Sequence, residues 1–280
     1  MVRLGEALFF TNAMGPFQKA EGPLSRFTCE SCHFEGGIDG RTHRTGRADV
    51  VATTKPLFGL GNNAPHFTRA LDEDLTEMVF AEFRVASSNT GHSEWFDLDE
   101  AGIEWASQGR LALAPHGAAD LRRALLLYLA SLPHPRNPRT ADKGSFTPLE
   151  RRGQALFAAH CESCHQARLV TNDASTVQRY EQWESLVLSS TAPLVWARDG
   201  YEKTEVLPYV HPLGARPSSL RRIAGKTPYF TNGTAVSLSD VLALSWLSDD
   251  GTFLHAASTE GGPLFDEAER TALVAFLQLL

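Results

Sequence analysis

Apolar residues recur at helical spacing in three segments of the first half of the chain, at residues 4–10, 72–85 and 120–132. This period of three to four residues predicts amphipathic helices. Residues 35–63 are rich in Gly, Thr and Arg and show little periodicity, which predicts a loop lying over a ligand. Prolines at positions 133, 135 and 138 end the third helix, because proline cannot continue one, and predict a polar linker at residues 136–148.

The pattern of the first half returns in the second half. Similar blocks recur in the same order at offsets of 148 or 163 residues: 4–9 with 152–157, 124–129 with 272–277, and 65–77 with 228–240. Several matching blocks in one order indicate an internal duplication. The sequence therefore predicts a mostly α-helical chain built from two related domains.

The charge and the apolar runs of the sequence argue against a nucleic-acid partner and against a membrane-spanning helix. The chain of 280 residues has a formal net charge of −7, which argues against nucleic acid because phosphate binding needs a basic surface. No apolar run approaches the ~20 residues that a membrane-spanning helix needs. The predicted partners are therefore small molecules or other proteins.

All four cysteines lie in two identical segments, Cys29-Glu-Ser-Cys-His33 and Cys161-Glu-Ser-Cys-His165. Cys-x-x-Cys-His is the attachment site of a c-type haem, in which two thiols bond to the porphyrin and the adjacent imidazole binds the iron. A zinc site would need four ligands from motifs 132 residues apart, and a thioredoxin-like pair does not require the histidine. The motifs thus predict two covalent haems, held by Cys29, Cys32, His33, Cys161, Cys164 and His165.

One haem motif falls in each repeat, which gives each half the layout of a class I cytochrome c. We therefore expect two tandem class I cytochrome c-like domains, at residues 1–135 and 149–280. Haem of this type is attached outside the cytoplasm, so a periplasmic or otherwise extracytoplasmic location is expected. The first residues, Met1 to Gly5, carry no signal-peptide pattern, which favours a mature fragment or one domain of a longer chain.

Several segments together carry a family resemblance: residues 4–10, Thr28 to His33, Asn63 to Pro65, Pro217 to Arg221, and Thr227 to Gly233 leading into 238–242. In these segments the sequence resembles the bacterial di-haem cytochrome c peroxidase family, which includes the MauG-type enzymes. The resemblance implies that hydrogen peroxide is reduced at the first haem with electrons that a small redox protein delivers through the second. It also implies a protein substrate as the alternative to peroxide reduction alone, and leaves a bound calcium ion open. Similar di-haem modules occur in longer proteins.

The resemblance also implies candidate residues around the first haem. A histidine in the loop after the motif often caps the iron, and here this is His43, with His66 and His92 as weaker candidates. An acid must move protons between the two peroxide oxygens. At the offset of 163, Glu82 corresponds to Ser245, the position from which the family's second haem often receives a ligand. By internal symmetry Glu82 should then lie near the first haem and act as this acid, and Glu77 is the alternative. A solvent-exposed loop histidine and a helix-surface glutamate are the competing interpretations.

The second haem departs from the family. Ser245 stands where the family has Met or Tyr, and the methionines at positions 1, 14 and 78 all lie in the first half. We therefore predict that His255, ten residues downstream, binds the second iron opposite His165. A solvated histidine beside acidic residues is the alternative interpretation, and Tyr229 or His211 would be the next ligands to consider.

Two classes of function follow from these features. The order of motifs predicts a peroxidase-like or MauG-like oxidoreductase. A non-catalytic electron-transfer cytochrome, or a redox module of a larger secreted protein, is the alternative, because two permanently capped irons would have no site for peroxide.

Overall fold

The structure, a computed structural model, describes residues 1–11, 28–44, 51–60, 63–64, 66, 74–79, 118–171, 175–198, 217–247, 253–255 and 264–280. In these ranges the chain is mainly helical, as predicted, with two short β-hairpins. It divides into two compact units. The first contains residues 1–39, 54–60 and 72–133, and the second contains residues 40–53, 61–71 and 134–280.

The helices predicted at residues 4–10 and 120–132 are observed, whereas none of the strands was predicted. The α-helices are α1 (Val2–Phe10), α2 (Ala118–Ser131), α3 (Pro148–His160), α4 (Trp183–Leu188), α5 (Leu238–Ala243) and α6 (Glu267–Leu277). The strands are β1 (Thr42–Arg44), β2 (Val51–Thr53), β3 (Ser245–Leu247) and β4 (Phe253–His255). Of the helix predicted at 72–85, residues 75–79 are described and are helical.

The first unit is built on the contact between α1 and α2. Gly5 is the point of closest approach, since a Cβ atom there would lie 2.0 Å from the carbonyl oxygen of Ala124 and 2.7 Å from the Cβ of Tyr128. The ring centroids of Phe9 and Tyr128 lie 5.4 Å apart beside this crossing. Because α1 also contacts the turn at Cys29–Ser31, this packing helps to position the first haem motif.

The second unit repeats this arrangement with α3 and α6. A Cβ atom on Gly153 would lie 2.0 Å from the carbonyl oxygen of Ala272 and 2.8 Å from the Cβ of Phe276. Gly153, Ala272 and Phe276 are the residues that the offset of 148 pairs with the three residues at the first crossing. The surrounding core is aromatic, with the rings of Phe157, Trp183 and Trp196 in edge contact.

Side-chain caps fix the start of α3 and α6. The Thr147 hydroxyl accepts the backbone N–H of Glu150, whose carboxylate accepts the N–H of Thr147. Asp266 and Glu269 form the same reciprocal pair at α6. These bonds satisfy N–H groups that the first helical turn leaves open. Since α3 runs to His160, the cap at its start determines where Cys161 emerges.

Residues 136–148, predicted as a polar linker, belong to the second unit and are anchored to it by a few buried side chains. Asn137 is buried and its side-chain amide donates to the carbonyl of Gln278. Phe146 is buried too and meets Phe276 with ring centroids 5.9 Å apart. The prolines end α2 as expected, and Asn137, Thr140 and Phe146 anchor a segment whose other residues are mostly exposed.

The loop predicted at residues 35–63 contains a hairpin in which β1 pairs antiparallel with β2. The end of β2 continues onto another part of the second unit: the N–H of Thr53 donates to the carbonyl of Thr231, and its hydroxyl donates to the carbonyl of Phe230. Residues 40–53 thus belong to the second unit, although they follow the first haem motif along the chain.

Candidate haem sites

The first Cys-x-x-Cys-His motif forms a single tight turn. Thr28 caps it, because its hydroxyl accepts the N–H of Ser31 while the Ser31 hydroxyl accepts the N–H of Thr28. The N–H groups of Cys32 and His33 both donate to the carbonyl of Cys29, at 3.3 and 3.0 Å. Residues three apart on a helical turn lie on one face, so the turn puts the two thiols on the same side.

The second motif has the same backbone hydrogen bonds. The N–H groups of Cys164 and His165 donate to the carbonyl of Cys161, at 3.2 and 2.8 Å. Cys161 is itself tied to the end of α3, since its N–H donates to the carbonyl of Phe157 at 2.8 Å. None of the four cysteines forms a disulfide. Both motifs therefore offer two thiols and an imidazole on one turn.

The surroundings of Cys161 argue against a redox-active cysteine pair. Burial, with a smaller contribution from Cys164, raises the pKa of the Cys161 thiol to about 12. Redox-active cysteine pairs react through a thiolate, which a lowered pKa favours. A thioether carries no charge, so covalent attachment to a porphyrin suits this buried position.

Backbone carbonyl groups hold the ring of His165. Its Nδ1 lies 3.4 Å from the carbonyl oxygen of Trp196, and the backbone of Ser218 provides a second hydrogen bond. Trp196 is buried and has a φ of 58°, a left-handed conformation that is uncommon for a bulky residue. A carbonyl oxygen can only accept, so Nδ1 carries the proton and Nε2 keeps its lone pair.

The β3–β4 hairpin brings His255 to the same place. Ser245 is the register partner of His255 in this hairpin, and its Oγ lies 3.3 Å from Nδ1 of His255. The imidazole also hydrogen-bonds the backbone of Val241. The ring of Phe230 packs beside it, with a centroid separation of 5.9 Å. His255 is therefore anchored from several sides.

The rings of His165 and His255 lie with their centroids 6.4 Å apart. An imidazole nitrogen binds a metal at about 2 Å, so two rings on opposite sides of one iron have centroids roughly 6 Å apart. Burial is the main cause that lowers the pKa of His165 to about 4 and that of His255 to about 3. Both rings are thus neutral at pH 7, the form that a metal binds. The pair fits the axial ligands of one haem iron.

Comparison with known proteins places this geometry in a structural context. No protein-family model and no curated protein sequence matches the chain significantly. Among solved structures, a MauG-like protein associated with microbial copper homeostasis is similar over 100% of this chain and 88% of its own, at 18% identity and a TM-score of 0.61. The diheme peroxidase BthA from Burkholderia thailandensis E264 is similar over 99% of this chain and 84% of its own, at 18% identity and a TM-score of 0.60. The fold is that of the di-haem peroxidase and MauG-like proteins.

A third protein with this di-haem peroxidase fold widens the range of functions that the fold supports. Hydrazine synthase from Kuenenia stuttgartiensis is similar over 100% of this chain and 87% of its own, with 16% identity and a TM-score of 0.54. Identities this low show the fold alone. The resemblance stated from the sequence is confirmed at that level, and the function must be argued from the site.

The structure describes three of the candidate residues predicted for the first haem. His43 is a half-buried residue of β1, and His66 is almost fully buried. Glu77 lies in the helical segment 75–79, where its side chain is exposed. Glu82, His92 and His211 lie outside the described residues.

Tyr229, an alternative ligand predicted for the second iron, makes a hydrogen bond to another group. Its ring is buried, and its hydroxyl donates to the carbonyl of Ile223 at 3.1 Å. Burial also raises the pKa of Tyr229, which opposes the phenolate form that binds iron best. His255 is thus the better candidate of the two.

Sequence reasoning missed the groups that hold the two imidazoles. Trp196 and Val241 act through backbone carbonyls, so their side-chain types carry no signal for this role. Ser218 and Val241 fall within segments that had been singled out, residues 217–221 and 238–242, but not for this role. In the part of the chain that the structure describes, no helix combines the length and the apolar character needed to cross a membrane.

Proposed function

We propose that this chain is a di-haem c-type oxidoreductase of the peroxidase and MauG-like class, in which the second iron is bound by His165 and His255. The observation that carries the proposal is the neutral imidazole pair with centroids 6.4 Å apart beside an attachment turn. When bound, the two haems would supply one-electron chemistry, with peroxide reduction at the first.

The residues that would hold the haems follow from the two turns. Cys29 and Cys32 would bond to the first porphyrin, with His33 on its iron. Cys161 and Cys164 would bond to the second. The shared backbone hydrogen bonds of both turns support equal attachment chemistry. Trp196 and Ser218 would orient His165, and Val241 would orient His255, as hydrogen-bonded outer partners generally do for histidine ligands.

Tandem duplication of a class I cytochrome c-like domain is part of the proposal. It is supported by the two helix crossings, where Gly5 and Gly153 approach Ala124 and Ala272 with the same 2.0 Å distance. One offset relates all four residues. Two unrelated helix pairs would not be expected to share the glycine, its partner and the aromatic residue one turn later.

The remaining parts of the proposal concern the first haem and the partners. Reduction of hydrogen peroxide to two water molecules consumes two electrons and two protons. We infer that a small redox protein supplies the electrons, that Glu82 moves a proton and that His43 is the distal histidine. Oxidation of a protein substrate is the MauG-like variant of this activity. Covalent haem implies an extracytoplasmic location.

The experiment that tests the proposal counts and types the haems. A pyridine haemochrome assay should find two haems per chain that stay attached after denaturation, and a count of one or none would contradict attachment at both motifs. The oxidised wild-type protein should contain a low-spin second haem with a bis-histidine electron paramagnetic resonance signature.

A pair of variants then identifies the ligand of the second iron. His255→Ala should convert the second haem to a high-spin form that binds carbon monoxide when reduced. Tyr229→Phe is the matched control: it removes the other candidate ligand from the same unit and should leave the low-spin signal intact. A low-spin second haem that survives His255→Ala would rule out this ligand.

A second function is favoured by the same observation. An iron with two imidazole ligands has no position for peroxide, which suits electron transfer. If the first iron is capped permanently as well, the chain is an electron-transfer cytochrome or the redox module of a larger secreted protein. Turnover of hydrogen peroxide with a reduced donor separates the two functions, because only the enzyme consumes peroxide catalytically.

A further inference from the structure

Ser245 occupies a buried position directly beside the proposed ligand of the second iron. Its side chain is 0% exposed. The hydroxyl donates to the carbonyl of Val241 at 3.2 Å, and the same Oγ lies 3.3 Å from Nδ1 of His255. The backbone is fixed too, because the N–H of Leu264 donates to the carbonyl of Ser245 at 3.2 Å.

The direction of these hydrogen bonds determines which nitrogen of His255 carries the proton. The Ser245 hydroxyl has one hydrogen and donates it to the carbonyl of Val241, which also accepts a hydrogen bond from the imidazole of His255. With its hydrogen on that carbonyl, the Oγ turns its lone pairs towards Nδ1, so the tautomer with the proton on Nδ1 satisfies all three groups. In a neutral imidazole the other nitrogen, Nε2, keeps the lone pair that a metal requires.

We propose that Ser245 is a positioning residue that holds His255 as an Nε2 ligand and strengthens its donation to the second iron. This inference rests on the proposed function, in which His255 is that ligand. An acceptor on Nδ1–H raises the basicity of the imidazole, and a more basic ligand stabilises the ferric form. Ser245 would thus act on the iron through the ligand that it contacts.

The competing explanation is structural: Ser245 would only fill space where α5 passes into β3. The two explanations differ in one readout. Loss of packing alone lowers the stability of the chain, whereas loss of the acceptor also shifts the redox equilibrium of the second haem. The reduction potential is therefore the quantity to measure.

The test uses Ser245→Ala in the haem-loaded full chain. Alanine keeps the Cβ and removes only the hydroxyl, so the low-spin signal of the second haem should persist. One net hydrogen bond is worth about 1 kcal/mol, and only the part that differs between the ferric and ferrous states shifts the potential, so the ferric-to-ferrous ratio at a fixed potential should fall by at most about fivefold. At 59 mV per decade this limit is a rise of about 40 mV in a spectroelectrochemical titration.

Ser189→Ala is the matched control. The Ser189 hydroxyl also donates to a carbonyl three residues earlier, that of Leu186, at 2.8 Å, and the residue lies in the same unit. The control should leave the potential unchanged. Equal shifts in both variants, or an unchanged potential in Ser245→Ala, would overturn the inference.

The His255→Ala variant distinguishes a failure of this inference from a failure of the proposed function. If His255→Ala removes the low-spin signal while Ser245→Ala leaves the potential unchanged, His255 is the ligand and only the role of Ser245 is refuted. If the low-spin signal survives His255→Ala, the ligand assignment itself fails, and the inference fails with it.

Discussion

A single methyl group added at Gly153 should destabilise the protein. The Cβ atom would lie 2.0 Å from the carbonyl oxygen of Ala272. To reach an ordinary contact of 3.4 Å, the two groups must separate by about 1.4 Å. The atom in the way belongs to the backbone of α6, so no side-chain rotation can relieve the overlap. The two helices must move apart and lose contact along their shared core.

The expected cost can be worked from this geometry. Overpacking a tight core typically costs 1–3 kcal/mol, and a clash with backbone belongs at the upper end of this range or beyond. Helices prefer Ala over Gly by about 1 kcal/mol, which acts in the opposite direction. We expect Gly153→Ala to lower the free energy of unfolding by about 2–3 kcal/mol, equivalent to a melting midpoint roughly 5–10 °C lower.

Thermal unfolding of the haem-loaded chain, followed by far-ultraviolet circular dichroism, measures this loss. Gly144→Ala is the matched control, because a Cβ atom there meets nothing within 4 Å. The control should change stability by less than about 0.5 kcal/mol. A Gly153→Ala variant as stable as this control would refute the close crossing of α3 and α6.

Three further predictions concern other parts of the chain. Gly5→Ala should destabilise the first unit as Gly153→Ala does the second, and a harmless substitution would argue against a shared crossing. Glu82→Gln should slow peroxide turnover about 10²-fold, while Glu77→Gln, at an exposed site, should not; equal rates would exclude Glu82 as the proton shuttle. Burial, followed by the charges of nearby cationic side chains, lowers the pKa of His134 to about 2, so the unfolded chain binds a proton below pH 6.5 that the folded chain does not. The free energy of unfolding of the wild type should therefore fall as the pH is lowered below 6.5. Urea titrations at pH 7 and 4.5 should show a smaller fall in His134→Gln, and the two proteins should differ by less than about 1.4 kcal/mol per pH unit. Equal falls in both proteins would contradict the lowered pKa of His134.

The helices of this fold could be predicted because their signals are local. The periods at 4–10 and 120–132 coincide with α1 and α2, and Thr147 with Glu150 marks the start of α3 by a capping pattern visible in the sequence. His255 was predicted to meet His165 by eliminating other ligands. The structure brings the two rings together, while ligation remains a proposal.

The parts that could not be predicted depend on contacts between distant segments. The β3–β4 hairpin has strands of three residues each, too short for an alternating pattern to be recognised. The carbonyl of Trp196 reaches His165 through a left-handed conformation that no local preference of tryptophan would suggest. The polar composition of residues 136–148 indicated a linker because the partner of Asn137, Gln278, lies 141 residues away.

The hairpin that follows the first haem motif has a consequence for how the gene can be divided. Residues 40–53 are encoded before α2 but complete the second unit, where Thr53 pairs with Thr231 and Phe230. A coding sequence started at position 134 would therefore produce a second half without this strand. It would leave the carbonyls of residues 230 and 231 without these donors, close to the ring of His255. A duplication origin would therefore not make the two halves of this chain exchangeable. Recombination within this gene would conserve function only where residues 40–53 stayed together with residues 134–280.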